Sequence, residues 1–351
     1  LYAGGGNTLA KIRLSPNVQL INTRTFTHGE ANTIVRITDI KTIKDGADPY
    51  GIAPTGIQGP FVIIAFGQSA QIAQINAIPA SGDDTYGAFS GTKAFASAFA
   101  VTISPDNTQV LVWRSAPAGG GATAFSKIKQ VAVSTTQSDL THDGSWTPAG
   151  GYQMGDIAES ISSLIEYARG LVVGKPSGVY TVDDRFSPYL LFGTRAYRHE
   201  DNCRPLFAWG TKLLIPTTQD LAAIPGGADP FIGLSRLVAN RSPVRGYPTA
   251  LASHGRYLFA AFYDGVNSWI CRGRLSQGEV PWPVIWHSLF QVPNYKVQAL
   301  HVTDDGTGGP VYLFYSAPGA VSGQHDVGSL ITAGERRNSR PEACSTASAL
   351  A

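Results

Sequence analysis

Short apolar runs, broken every few positions by glycine, proline or a polar turn, recur along this chain, and no helical pattern of useful length competes with them. Ser162–Asp184, SSLIEYARGLVVGKPSGVYTVDD, is the clearest case. Ser163–Glu166 is a short strand, Arg169-Gly170 a turn, and Leu171–Gly174 a fully apolar strand. Lys175–Gly178 is a tight connection, and Val179–Val182 alternates as a partly exposed strand. Gly155–Tyr167 has some amphipathic character, but its Ile/Ser content and the repeat place it in a strand. The phrase LVVGKPSGVYTV returns ungapped as LLIPTTQDLAAI over Leu213–Ile224 and as LYAGGGNTLAKI over Leu1–Ile12.

Seven such hairpins span the chain. Their first apolar strands start at Leu1, Val62, Val110, Leu171, Leu213, Leu258 and Val311, spaced by 42 to 61 residues, the length of a four-stranded unit. Opening strands near Leu164, Leu206, Leu251 and Leu300 precede the last four. Gly170, Gly210, Gly255 and Gly306–Gly309 supply their turns. In the first part, Val18–Phe26 is an outer strand, Thr33–Ile40 opens the second unit, and Phe61–Phe66 with Ala70–Ile78 forms its hairpin.

Ala98–Trp113, AFAVTISPDNTQVLVW, places a Ser-Pro-Asp-Asn turn between two apolar strands. Pro105 presets φ, and Asp106 and Asn107 tolerate left-handed backbone while capping the turn. This stretch resembles the Ser-Pro-Asp-Gly turn of WD-repeat-like and YVTN-type β-propellers, with Asn107 where those families have glycine. The implied fold is all-β: a propeller of four-stranded antiparallel blades, seven favoured, with six or eight compatible with the loosely patterned Lys41–Gly59 and Pro117–Tyr152. Gly328–Gly334 is similar to Ser162–Arg169, so the C-terminal strand, near Leu330-Ile331, is expected to pair with the strand starting at Leu1 and close the ring. Residues 1–334 are expected to form one propeller domain, and 335–351 a basic, Ser/Ala-rich tail.

Composition narrows the function. Charged residues make up 15% of the 351, glycine numbers 39, and the net charge is +2, which gives no electrostatic footprint for nucleic acid. No run of 18 apolar residues provides a membrane span. Cys203, Cys271 and Cys344 share no CxxC spacing and are expected as buried or incidental thiols. The start at Leu1 is compatible with a removed leader or with a start inside a longer polypeptide.

Catalytic signatures are absent: there is no G-x-S-x-G, P-loop, dinucleotide fingerprint or H-E-x-x-H. His28-Gly29-Glu30 has too few ligands for a metal, and none is expected, nor any cofactor. Asp183-Asp184 and Asp304-Asp305 are carboxylate pairs, but neighbours on a strand point to opposite faces, so turn caps are the better reading. Ser138–Trp146, SDLTHDGSW, partly resembles the Asp-box of sialidase-type propellers, itself a structural turn.

Two groups remain as candidate binding residues. His199, Glu200 and Asp201 lie where one blade should connect to the next, and Tyr263, Asp264 and Trp269 form a hairpin turn with aromatic flanks. Trp282 and Trp286, beyond a Pro-rich turn, are expected to fill the wedge between blades. For hydrolysis, the acid and base candidates are Asp184, Glu200, Asp201 and Asp305.

The repeat phrases are also similar, over Ile161–Ser316, to propeller domains of tailed-phage virion proteins. The resemblance implies a non-catalytic structural component of a tail or capsid, located in the virion and bound to neighbouring subunits or a host-surface glycan or protein. The alternative is a secreted, extracellular carbohydrate-binding or carbohydrate-active propeller.

Overall fold

The computed structural model describes residues 2–5, 8–13, 19–25, 37–43, 61–66, 78–79, 98–103, 110–119, 124–132, 146–182, 187–194, 197–225, 230–234, 244–275, 284–304, 311–318 and 325–332. Among them every regular element is a strand apart from isolated turns, and all strand pairing is antiparallel. The chain divides into two compact units. One takes in Tyr2–Ile12 and Leu20–Leu206, the other Leu1, Arg13–Gln19 and Phe207–Ala351.

The first sheet is β1 (Tyr2–Gly5), β2 (Thr8–Arg13) and β3 (Gln19–Thr25), and the second is β4 (Ile37–Ile43), β5 (Phe61–Phe66) and β6 (Ile78–Pro79). The third has four strands in the order β10-β9-β8-β7, with β7 Phe99–Ile103, β8 Val110–Ala116, β9 Lys127–Ala132 and β10 Thr147–Gln153. The fourth, again four-stranded, runs β11 (Ser163–Tyr167), β12 (Gly170–Lys175), β13 (Gly178–Val182), β14 (Pro188–Gly193). Ala98, Ala100, Trp113, Ile128, Ile161, Leu164, Leu171, Val173 and Tyr180 form one core joining the third and fourth sheets. Burial of apolar side chains between successive sheets is what fixes such a pair, at about 1.5–3 kcal/mol for each large side chain.

In the other unit, β15 (Phe207–Trp209), β16 (Lys212–Pro216) and β17 (Leu221–Ile224) form a three-stranded sheet. Its outer edge is extended by a bridge from Ala222 to Phe231. Next comes the four-stranded sheet β18 (Tyr247–His254), β19 (Tyr257–Tyr263), β20 (Ser268–Leu275), β21 (Val284–Val292). It is followed by β22 (Ala299–Asp304), β23 (Val311–Pro318) and β24 (His325–Thr332). One face of β18–β21 packs Leu258, Phe262, Cys271 and Trp286 with Trp209, Leu214 and Leu221. The opposite face packs Ala250, Phe259, Ala261 and Ile270 with Val302 and Leu313.

The repeat read from the sequence corresponds to these strands. The seven hairpin starts fall on β1, β5, β8, β12, β16, β19 and β23, or, for Leu1, directly before β1, one to each sheet. Three of the sheets have four strands. Two local readings are corrected. The turn placed at Arg169-Gly170 lies one residue earlier. Ala168 (φ +51) and Arg169 (φ +63) are left-handed, while Gly170 already pairs with Tyr167 as the first residue of β12. In Gly155–Tyr167 only Ser163–Tyr167 is strand, because 157–159 turn to bring Glu159 inward.

The expected closing pair is not among the described ones. Leu330 and Ile331 pair with Leu313 and Tyr312 of β23, which makes β24 the third strand of the last sheet. The Ser104–Asn107 turn, His28–Glu30, Asp183, Asp184, Asp305, Trp282, Cys344, 138–145 and the 335–351 tail lie outside the described residues.

Candidate functional site

The hairpin singled out from the sequence is built by β19 and β20, whose last pair is Tyr263 with Ser268. Asp264 caps the four-residue loop: its Oδ1 accepts from the Val266 N–H at 2.9 Å and the Asn267 N–H at 2.7 Å. The Asp264 N–H donates to the Asn267 carbonyl at 3.0 Å. These amides, Asn267 first, hold the carboxyl below its usual range. The Trp269 indole adds to that lowering although its buried Nε1 makes no hydrogen bond of good geometry. The Tyr263 hydroxyl donates to the Gly265 carbonyl at 2.6 Å. Asp264 and Tyr263 are thus committed to the loop's own shape. Trp269 packs partly buried against the core between β15–β17 and β18–β21.

Beside the loop, Tyr247 and Tyr263 meet edge to face at 6.0 Å, with the Lys296 ammonium 5.8 and 5.9 Å from the two rings. Trp286, expected as a wedge filler, is buried edge to face on Phe262 at 5.1 Å and donates Nε1–H to the Ile232 carbonyl at 3.0 Å.

His199, Glu200 and Asp201 occupy the connection between β14 and β15, the place expected for a link between successive sheets. His199 Nδ1 accepts from the Asp201 N–H at 3.1 Å and lies 3.5 Å from the Asp201 carboxylate. The backbone contact closes this turn, and the Asp201 carboxylate approaches the same ring nitrogen. Asn202, directly after, is fully buried and donates to the Tyr197 and Pro176 carbonyls at 2.8 and 3.2 Å. The triplet therefore orders a connection. No group of three metal-ligating side chains occurs among the described residues.

The most unusual ionisable cluster was missed by the sequence reading, and it centres on Lys175. Its side chain is fully buried, and Nζ donates to the Met154 carbonyl at 2.5 Å and to the Asp156 carbonyl. Burial lowers its pKa from 10.5 to about 8, against the opposing pull of Glu159 and Asp156. Glu159, 2% exposed, accepts from Ser177 Oγ at 2.5 Å and from Arg198 Nε at 2.7 Å. Ser177 Oγ also lies 3.4 Å from the Tyr180 hydroxyl. Thr194 Oγ1 donates to the Pro176 carbonyl at 2.6 Å.

Three segments meet here: the 154–161 stretch after β10, the β12–β13 turn, and the 194–203 connection. Gly174 is required by the last of these, since a Cβ there would stand 2.6 Å from the Cys203 carbonyl oxygen. Cys203 itself is buried, and burial pushes its thiol up to about 12. A lysine, a carboxylate and a serine hydroxyl at this spacing are nucleophile chemistry on paper. Here the lysine protons go to backbone carbonyls, and the carboxylate is shared by a hydroxyl and a guanidinium. With Ser177 only 5% exposed, the cluster works as a clamp on three loops. Nothing in the sequence marks it, because Lys175-Pro176-Ser177-Gly178 has the composition of a solvated turn.

No family model matches the chain, and no curated protein matches it. Solved structures do, at low similarity. The chain is 13% identical to a chain of the S. cerevisiae assembly of dbp5 with nup159 and gle1, over 68% of its own length and 62% of that chain, with a TM-score of 0.34. It is 11% identical to a chain of a humanized Chaetomium thermophilum Polycomb Repressive Complex 2, covering 85% of this chain and 73% of that one, at 0.39. It is 10% identical to PorZ, a bacterial surface component of the type-IX secretion system of Porphyromonas gingivalis, over 95% and 51%, at 0.27. At these scores the matches assign neither a family nor a function, and the chain's fold is described by its own sheets as all-β and blade-like.

Proposed function

We propose that the seven sheets are the blades of one propeller ring, and that the protein is a non-catalytic platform for protein contacts within a tailed-phage virion. The observation that carries the platform reading is the outer strand β14. It ends the sheet β11–β14 and exposes Tyr189, Leu190 and Leu191 at 55%, 51% and 42%. An apolar strand at a sheet edge is a place where another chain can dock. The buried ionisable cluster supports the same reading, since Lys175, Glu159 and Ser177 are spent on holding loops. The virion assignment comes from the resemblance of the repeat phrases.

Mass spectrometry of purified particles should detect the protein as a stoichiometric component, and its absence from them would overturn the assignment. Turnover tests the other half. The purified chain should cleave no polysaccharide or ester, and activity that is lost in Asp184→Asn or Glu200→Gln would replace the platform with a hydrolase. A carbohydrate-binding role is favoured by one feature, the Tyr247–Tyr263–Lys296 cluster, whose ring faces and ammonium suit a sugar. Glycan-array binding abolished by Tyr263→Ala would establish it.

A further inference from the structure

The sheet β18–β21 carries its charge unevenly. At the end formed by the Gly255-Arg256 turn, Arg256, Arg272 and Arg274 lie together with His254 and His287. Cross-strand pairs share a face and alternate residues return to it. Tyr257 stands opposite His254 and Arg274, and Arg272 opposite Phe259 and His287, so these side chains share one face. The same face carries the apolar packing of Phe259 and Ala261 nearer the middle of the strands. Beyond that packing the Arg272 and Arg256 guanidiniums lie 4.9 and 5.4 Å from the Tyr257 ring. Arg256, Arg274 and His287 are exposed, and Ile285, paired with Arg274, is 42% exposed. The acidic side chain of this sheet among the described residues is Asp264, at the opposite end and already committed to its loop. The β20–β21 connection, 276–283, lies outside the described residues.

The geometry points to this end of the sheet as a docking surface for an acidic protein segment, one that presents carboxylates beside an apolar residue. The Arg272 guanidinium, held on the Tyr257 ring, and the exposed Arg274 on the same face present N–H edges suited to bidentate contact with carboxylates, and stacking spares part of the entropy cost of ordering Arg272. Tyrosine and arginine with an exposed aliphatic neighbour is the composition of protein-interface hot spots. A neutral sugar fits less well, because it has no charge to meet the clustered guanidiniums. Bases of a nucleic acid would need a free aromatic face, and the Tyr257 ring already carries two guanidiniums. This inference rests on the platform reading and supplies that platform with a partner chemistry.

The test is fluorescence anisotropy with a labelled Glu/Leu peptide and the full chain, at low salt and at about 150 mM. The expected result is saturable binding that weakens with salt. It should fall about tenfold in Arg272→Gln/Arg274→Gln and about threefold in Arg274→Gln alone, whose exposed side chain can change without disturbing the fold. Arg245→Gln, an exposed arginine beside the opposite end of the same sheet, should leave binding unchanged.

No peptide binding at low salt, or equal loss in Arg245→Gln, overturns the assignment. So does tighter binding of a sulfated polysaccharide or an oligothymidylate of matched charge. Detection in purified particles is read separately. A chain present in particles but blind to the peptide loses this surface and keeps the platform, whereas a chain that binds the peptide but is absent from particles loses the virion assignment alone.

Discussion

The sheets β11–β14 and β18–β21 share one strand order and closely similar hairpins, yet they are held in different ways. In β18–β21 both faces carry apolar packing against a neighbouring sheet along the middle of the strands. Leu258, Ala260 and Phe262 point to one neighbouring sheet, and Phe259 and Ala261 to the other. In β11–β14 one core cluster, with Leu164, Leu171, Val173 and Tyr180, packs against the preceding sheet, while the corner beyond the β12–β13 turn is held by Lys175, Glu159, Ser177 and Arg198. The difference shows that one topology can be stabilised by burial alone or by burial plus a polar clamp. The two should fail differently. Apolar packing is insensitive to pH, whereas a clamp of buried charges depends both on pH and on every member being present.

The largest effect is expected from Phe262→Ala. The side chain is fully buried and meets Trp286 edge to face, so truncation should cost about 3–5 kcal/mol by loss of transfer energy and creation of a cavity. Denaturant titration should show a loss of that size that is constant from pH 6 to pH 9. A loss below about 1 kcal/mol would mean that the site collapses and that burial there is not the main support.

Glu159→Ala should come next, at about 3 kcal/mol, because it strands Lys175 as a buried charge and leaves Ser177 Oγ without its acceptor. Here the loss should shrink as pH rises past 8 and the lysine gives up its proton. A pH-independent loss equal to that of Phe262→Ala would erase the distinction between the two sheets.

Titration of the intact protein gives a smaller and more diagnostic signal. Lys175 has a folded pKa near 8 against 10.5 when unfolded. Between those values the folded state has released a proton that the unfolded state keeps, so stability rises with pH. Cys203 and Cys271 oppose it: burial raises both from 9.0 to about 12, so above pH 9 the unfolded thiols ionise first and stability falls. Stability should therefore climb by about 1 kcal/mol or less from pH 8 to pH 9 and decline beyond. Equilibrium denaturation of Lys175→Met should show the decline without the climb, and a climb that persists in this variant would assign it to another group.

The smallest effect concerns the turns that open the inner hairpins. Ala168, Gly210 and Gly255 hold the same first position in two-residue turns, with φ of +51, +58 and +54. Only in the first of these does a Cβ carry the left-handed strain. Ala168→Gly should accordingly stabilise the protein by up to about 1 kcal/mol, raising the denaturation midpoint, while Gly255→Ala should lower it by a similar amount. An unchanged midpoint in both variants would show that these turns relax freely.

Much of the strand pattern was legible in the residues alone. Val172, Val173, Leu213, Leu214 and Leu258 are fully or almost fully buried, and each belongs to an apolar run bounded by turn residues. Such runs can be satisfied only by burial in paired strands, and their spacing repeats because each hairpin faces the same problem as the last. The turn at Ala168-Arg169 was displaced by one residue because Gly170 looks like the natural left-handed residue. Register decided otherwise, since Tyr167 must face Gly170 for the Leu164–Val173 pair to fall in line.

The candidate chemistry was less legible. Asp264 and His199 were visible as polar residues in turns, but their commitment to backbone amides depends on the path of the chain around them. The Lys175 clamp was invisible, because Met154, Glu159, Ser177 and Arg198 come from three connections that are neighbours only once the sheets have packed.

Local residue types thus determined strands, turns and the period of the repeat, since propensity and alternation act over a few residues. Tertiary structure decided which carbonyls receive the Lys175 ammonium, which turn residues are spent as caps, and which face of β18–β21 is left with arginines and no described acid. Those outcomes depend on burial and on distances between segments that the linear order does not contain.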